Sequence, residues 1–257
     1  MRPYHSEGGV TIYHGNCLEI MPTLADKSVD HVIADPPYSE HTHKKVRRGL
    51  MLDAAGGYPA NRRRRDDLGF AHLDGKTMSG AARHFARLAK RWTLVFSDIE
   101  LSQNWRRSLV AAGLDYVRTG AWVKLGSTPQ FTGDRPASGF EAVVIAHTKG
   151  RKKWNGGGKV GIWQEPIVIS RDHKTPRLHT TQKPIALMWR LISDFTSPDD
   201  LILDAFMGSG TTLKAALDTG RRAIGIDLSE ENCENAARRL GAGKQPMDMP
   251  LFAARPA

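Results

Sequence analysis

Asp35, Pro36, Pro37 and Tyr38 follow directly on an apolar run, His31-Val32-Ile33-Ala34. The run has the composition of a buried strand. A carboxylate, a rigid turn and an aromatic ring therefore stand together where a strand ends. The carboxylate accepts hydrogen bonds. The prolines bring carbonyls with no competing N–H, and the ring offers a face to a planar group. Such a set suits a ligand that donates hydrogen bonds and stacks.

A second group lies at residues 201–228. The short strand Leu201-Ile202-Leu203 runs into Asp204. The turn Gly208-Ser209-Gly210 then opens a helix, and a further strand ends in Asp227. Glycines there allow a tight turn and close approach of a ligand, and an acid about 20 positions on can bind ribose hydroxyls. The full dinucleotide fingerprint is absent, because the third glycine position is Leu213. Asp204 disfavours a phosphate and suits a ligand with a cationic end, such as the amino group of a methionine moiety. The residues thus favour S-adenosylmethionine over NAD. The plainer alternative is a packed strand–helix corner with ordinary glycines.

The elements that must hold these residues alternate between strand and helix. Short apolar strands with intervening helices predict a mostly parallel sheet covered on both faces. Ligands of open α/β sheets bind at the carboxyl ends of strands, so Asp35 and Asp204 are expected to face one crevice. Trp92, Trp122 and Trp189 lie in apolar stretches and are expected in the core. Gly113 is read as a helix C-cap and Ser229 as an N-cap.

Charge points to a partner. The chain has 37 Lys+Arg against 27 Asp+Glu, a net +10. The excess clusters at Lys44, Lys45, Arg47 and Arg48, at Arg62, Arg63, Arg64 and Arg65, and at Lys152 and Lys153. Clusters of this kind suggest a polyanion, and the bland reading is a solubilising surface. Two distant cysteines, Cys17 and Cys233, make no disulfide framework and are expected to be inert. No signal peptide or stretch of membrane-spanning length is read, so a soluble, cytoplasmic protein without a membrane role is expected. His41 and His43 invite a metal reading, but no Cys or acidic partner follows at ligand spacing. No metal is expected.

The pairing of "DPPY" (35–38) with a separate "DAFMGSGTT" (204–212) resembles the amino-methylating DNA methyltransferases. The catalytic motif precedes the cofactor motif, as in the permuted beta group of that family. The segment "HTTQKP" (179–184) is similar to that group's HxTQKP, and "HGNCLEIMPTLADKSVDHVIADPPY" follows its usual approach to the catalytic motif.

The resemblance implies a single methyltransferase domain over residues 1–257. Its fold would be a Rossmann-like, mostly parallel seven-stranded sheet with helices on both faces, plus a small irregular DNA-recognition segment. It implies catalysis by Asp35, Pro36, Pro37 and Tyr38. It implies S-adenosyl-L-methionine held by Asn16, Cys17, Asp35, Gln182, Lys183, Asp204, Phe206, Gly208, Ser209, Gly210, Thr211, Asp227 and Leu228. Asn16 departs from the group, which usually has Asp there to meet the cofactor's adenine amine; an Asn can accept but adds no charge.

Residues 39–80 read as a basic loop on the catalytic side, and 150–178 as the target-recognition segment. The basic clusters above and Trp154 are the expected contacts to double-stranded DNA. A homodimer is expected on resemblance alone. The implied reaction is site-specific methylation of adenine N6, since Asp rather than Ser opens the motif. Cytosine N4 methylation and a catalytically silent DNA-binding module are the alternatives. RNA or protein amines are disfavoured by the match across the chain.

Overall fold

The computed structural model describes residues 2–38, 74–127, 129, 133–168 and 182–241. Lys44, Lys45, Arg47, Arg48, Arg62, Arg63, Arg64 and Arg65, with His41 and His43, lie outside the described residues, as do 169–181 of the recognition segment and its junction.

Nine strands form one sheet: β1 His5–Glu7, β2 Val10–His14, β3 His31–Ala34, β4 Trp92–Ser97, β5 Asp115–Leu125, β6 Phe140–His147, β7 Ile162–Pro166, β8 Leu201–Asp204 and β9 Arg222–Asp227. Their order is β1-β2-β9-β8-β3-β4-β6-β5-β7. Five pairings are parallel (β2 with β9, β9 with β8, β8 with β3, β3 with β4, β5 with β7) and the rest antiparallel. The sheet is thus mostly parallel, as expected, but seven strands become nine. The two additions are edges. β1 folds back on β2 through Gly8 and Gly9, both at positive φ, as a tight hairpin needs. β7 alternates exposed Ile162 and Gln164 with buried Trp163 and Glu165, a period of two hidden in a Gly- and Lys-rich stretch.

The described helices are α1 Cys17–Ile20, α2 Gly75–Leu88, α3 Ile99–Ala111, α4 Ile185–Phe195, α5 Thr211–Asp218 and α6 Glu230–Gly241. They cover both faces. Val32 and Ala34 of β3 join a core with Phe85 of α2 and Trp105 of α3. Ile33 between them joins the other core, with Leu187 of α4 and Leu213 of α5. Opposite faces for successive residues of one strand account for the unbroken apolar run that precedes Asp35. Trp92, Trp122 and Trp189 are buried as expected.

Capping fixes the helix boundaries. Asp74 Oδ1 accepts from Thr77 N at 2.7 Å, so α2 starts at Gly75, inside the segment read as loop. Ser229 Oγ accepts from Asn232 N at 3.3 Å at the start of α6. Gly113 follows α3 at φ +96.

Strand order locates the crevice. From β3 the chain crosses to β4 on one side, and from β8 to β9 on the other. The order of connection reverses between β3 and β8, where open α/β sheets bind ligands.

Candidate active site

Asp35 and Asp204 flank that reversal. Val32 pairs with Leu203 in the parallel β3–β8 ladder, so Asp204 and Asp35 leave neighbouring strands at the same edge. Asp204 is 2% exposed. Its Oδ1 accepts from Phe206 N at 3.0 Å. Burial outweighs its hydrogen bonds and pushes its pKa up to about 7.

The glycine turn follows. Gly208 and Gly210 have φ +51 and +76, a region that favours glycine. A Cβ on Gly210 would sit 2.8 Å from Ala236 Cβ, so this glycine lets α5 pack on α6. A Cβ on Gly208 would meet nothing within 4 Å, so that backbone borders open space. Asp227, at the end of β9, ties the turn down. Its Oδ2 accepts from Gly208 N at 2.9 Å, and its Oδ1 from Ser229 N at 2.9 Å and Asn232 Nδ2 at 3.0 Å. A tight backbone turn, open space before Gly208 and a buried acid beside it fit a nucleoside with a cationic end.

Asn16 and Cys17 come to the same edge, since Gly15 N donates to Asp227 O at 2.8 Å. Asn16 Oδ1 caps α1 by accepting from Leu18 N at 3.0 Å, and its Nδ2 donates to Glu19 Oε1 at 3.2 Å. The amide expected to meet an adenine amine is therefore engaged as a helix cap. The Cys17 and Cys233 thiols are buried and pushed up to about 11 and about 12 by that burial, which keeps both protonated. Leu228 is exposed, and His14 Nε2 lies 3.1 Å from its carbonyl oxygen.

Asp35 sits in an ionic cluster that the sequence only partly announces. Lys183 Nζ, just before α4, lies 2.6 Å from Asp35 Oδ2 and 3.2 Å from Glu141 Oε2. Tyr38 donates its O–H to Glu141 Oε2 at 2.5 Å, with Asp35 Oδ1 at 3.2 Å, and accepts from Lys183 at 3.0 Å. Lys124 of β5 holds the other oxygen of Glu141 at 2.7 Å. Lys183 is 7% exposed and packs over the rings of Phe96 and Tyr38 at 5.1 and 5.2 Å.

The two carboxylates divide in character. Burial raises Asp35 above the usual carboxylate range, and Lys183 only partly offsets it. Burial would raise Glu141 too, but Lys183 and Lys124 outweigh it and hold it at about 2. The same acids outweigh desolvation at Lys183 and raise its pKa. No motif in the sequence marks Glu141 or Lys124. The available signal was an acid inside the otherwise apolar run Phe140–His147.

Lys152, Lys153 and Trp154 are elsewhere. Lys152 bonds Asp115 at 3.0 Å and Lys153 Nζ bonds Ser197 Oγ at 2.9 Å. Trp92 Nε1 donates to Lys153 O at 2.7 Å. Trp154 meets Phe195 edge-on at 4.8 Å between centroids. Ala34 pairs with Val95, which puts Asp35 level with Phe96, so this segment, at the Trp92 end of β4, lies at the opposite sheet edge, roughly 13 Å away along the strand. Packing against α4 half-buries Trp154, while Lys152 and Lys153 remain exposed at this opposite edge. Among the described residues, only the end of β7 and its exit, Pro166–Val168, return from this segment to the Asp35 edge.

Among the described residues no group of three or more His, Cys, Asp or Glu could hold a metal ion, and no helix is long and apolar enough to cross a membrane.

The fold and the crevice define a class, and comparison with known proteins assigns it. A family model described as DNA methylase matches residues 29–238. The chain is 28% identical to the type II methyltransferase M2.MboI of Moraxella bovis, over 93% of this chain and 91% of that one. It is 25% identical to the type II methyltransferase M.HinfI of Haemophilus influenzae, over 94% and 71%. The crystal structure of the M1.HpyAVI-SAM complex superposes with TM-score 0.66 at 25% identity, covering 90% of this chain and 98% of that one. The chain belongs to the DNA methylase family and is a DNA methyltransferase.

Proposed function

We propose that this enzyme moves a methyl group from S-adenosylmethionine to the N6 amine of an adenine flipped out of double-stranded DNA at a specific sequence. One observation carries the reading: Asp35-Pro36-Pro37-Tyr38 and the Asp204–Gly208 turn leave neighbouring strands into one crevice. The turn Gly208–Thr211, Asp204 and Asp227 would hold the donor, with Asn16, Cys17, Phe206, Gln182 and Leu228 around it. S-adenosylmethionine supplies an electrophilic methyl when bound.

The remaining work falls to the chain. An aromatic amine is a poor nucleophile because its lone pair is delocalised. Asp35 and the Pro36 carbonyl accept its two N–H groups and so favour a nitrogen whose lone pair is free. They also stabilise the positive charge that develops there. The raised Asp35 carboxylate is suited to take the proton the amine then loses. Tyr38 offers its ring to the base. Flipping costs a few kcal/mol, which phosphate contacts from the basic residues of 39–80 offset. We assign sequence readout to the segment 150–178, with phosphate contacts among its basic residues. A single domain, a cytoplasmic site of action beside DNA and a homodimer complete the proposal. The dimer rests on resemblance, and light scattering at micromolar protein decides it.

The test is expression in a host without its own methylases, followed by sequencing with modification detection. N6-methyladenine at one short motif is expected. N4-methylcytosine would overturn the choice of base, and unmodified DNA the whole reading.

A further inference from the structure

Lys183 is the residue the proposed mechanism leaves unexplained. Its buried ammonium lies on Asp35, the acceptor assigned to the target amine. That placement opposes the reaction. The amine nitrogen becomes positive as it is methylated, and a second cation on the same carboxylate repels it. The same ammonium is also 3.2 Å from Glu141 Oε2, so a small displacement exchanges one acid for the other. Glu141 is built to receive it. Lys124 holds its far oxygen and Tyr38 its near one, so the carboxylate is fixed in place.

We propose that Lys183 and Glu141 are positioning residues that free Asp35 for the target amine: the Lys183 ammonium moves from Asp35 to Glu141 when the base arrives. Lys183 thereby keeps Asp35 ionised and ordered between turnovers. Glu141 is the alternate anchor that lets it withdraw. The strongly held charge of Glu141, at about 2, keeps that anchor anionic throughout the working range. The inference rests on the assignment of Asp35 as the amine acceptor.

The test uses the full-length enzyme, tritiated S-adenosylmethionine and unmethylated genomic DNA, with single-turnover rates for wild type, Glu141→Gln, Lys183→Met and the double variant. Calorimetry with S-adenosylmethionine on the same preparations shows that each site is intact. Glu141→Gln is expected to slow transfer about tenfold or more with cofactor affinity retained, because the ammonium stays on Asp35. The double variant is expected to be faster than Glu141→Gln alone, reaching within about threefold of Lys183→Met. Two merely structural roles would instead give losses that add, and a double variant slower than either single one overturns the proposal. Glu141→Asp, which keeps the charge but withdraws it, serves if the Gln variant fails to fold, with the same slowing and the same rescue expected.

The pH profile gives a second readout. Asp35 faces Lys183, Tyr38 of its own turn, Glu141 of β6 and Asp204 of β8. Removing Lys183 removes its cation, so the acidic limb of the Lys183→Met rate moves to higher pH. An unmoved limb overturns the role given to Lys183. Wild-type incorporation of label tests the functional reading separately: an active wild type with Glu141→Gln at the same rate sinks the inference alone.

Discussion

Gly208 N donates to Asp227 Oδ2 at 2.9 Å, so the acid that ends β9 fixes the turn that follows β8. The same carboxylate accepts from Ser229 and Asn232. Asp227 therefore shapes the proposed cofactor turn from within, whatever its contact with a ribose.

Asp227→Ala leaves three donors unanswered and lets the turn relax. We expect affinity for S-adenosylmethionine to fall by about 1–3 kcal/mol, the range for hydrogen bonds to a charged group. Calorimetry measures it. Undiminished affinity would show that neither the turn nor the ribose depends on this acid.

Asp204 is expected to make binding and stability respond to pH in opposite senses. Its folded pKa of about 7 lies above the ordinary 3.8, so its protonated form favours the folded state. The favourable contribution is fully present below about pH 4 and is lost as pH rises through about 7. The gap corresponds to on the order of 4 kcal/mol. Asp204→Asn should therefore raise the melting temperature relative to wild type at pH 8 and leave it nearly unchanged at pH 4. A cationic ligand wants the ionised acid. Wild-type affinity for S-adenosylmethionine should rise from pH 6 to 8, with proton release on binding seen in calorimetry across buffers of different ionisation enthalpy. A pH-independent affinity would remove Asp204 from the cofactor's cationic end.

Asp35→Asn keeps the shape of the acceptor but loses its charge. Methyl transfer should fall by about 10²–10⁴-fold, as for loss of a group that meets developing charge. Affinity for S-adenosylmethionine should stay within about twofold. Near-normal turnover would contradict the catalytic assignment.

Trp154→Ala should behave as a packing defect. The ring lies on Phe195 and its Nε1 donates to Gly157 O at 2.8 Å. We expect a loss of about 2–4 kcal/mol in denaturant unfolding, with unchanged discrimination between DNA sequences. Lost discrimination at unchanged stability would return the residue to the recognition surface.

The contrast between Trp154 and Asp35 marks what was legible in the sequence. Asp35, Asp204, Gly208, Gly210 and Asp227 stand at strand ends and turns, and a strand end is local information. Trp154 stood between Lys153 and Asn155 and looked exposed. Its partner, Phe195, is about forty residues further on at the end of α4. Glu141 and Lys124 were silent for a related reason. Glu141 reaches Lys183 only because β6 runs antiparallel to β4, bringing Ala142 opposite Ser97 at the site's edge, and Lys124 joins through Glu141 from the neighbouring β5. Asn16 has a role the motif alone does not announce: its side chain also caps the start of α1.

The strand order sets a schedule for synthesis. β2 and β3 are made within the first 34 residues, yet β9 and β8, from Leu201 to Asp227, stand between them in the finished sheet. On the ribosome both early strands wait, with one edge of each unpaired, while more than 160 further residues are added. At about 5–20 residues per second that interval lasts on the order of ten seconds or more. Exposed strand edges invite pairing with other chains. Slow translation before residue 227 should therefore favour aggregation of the nascent chain, and fragments ending short of β8 should be insoluble rather than partly active.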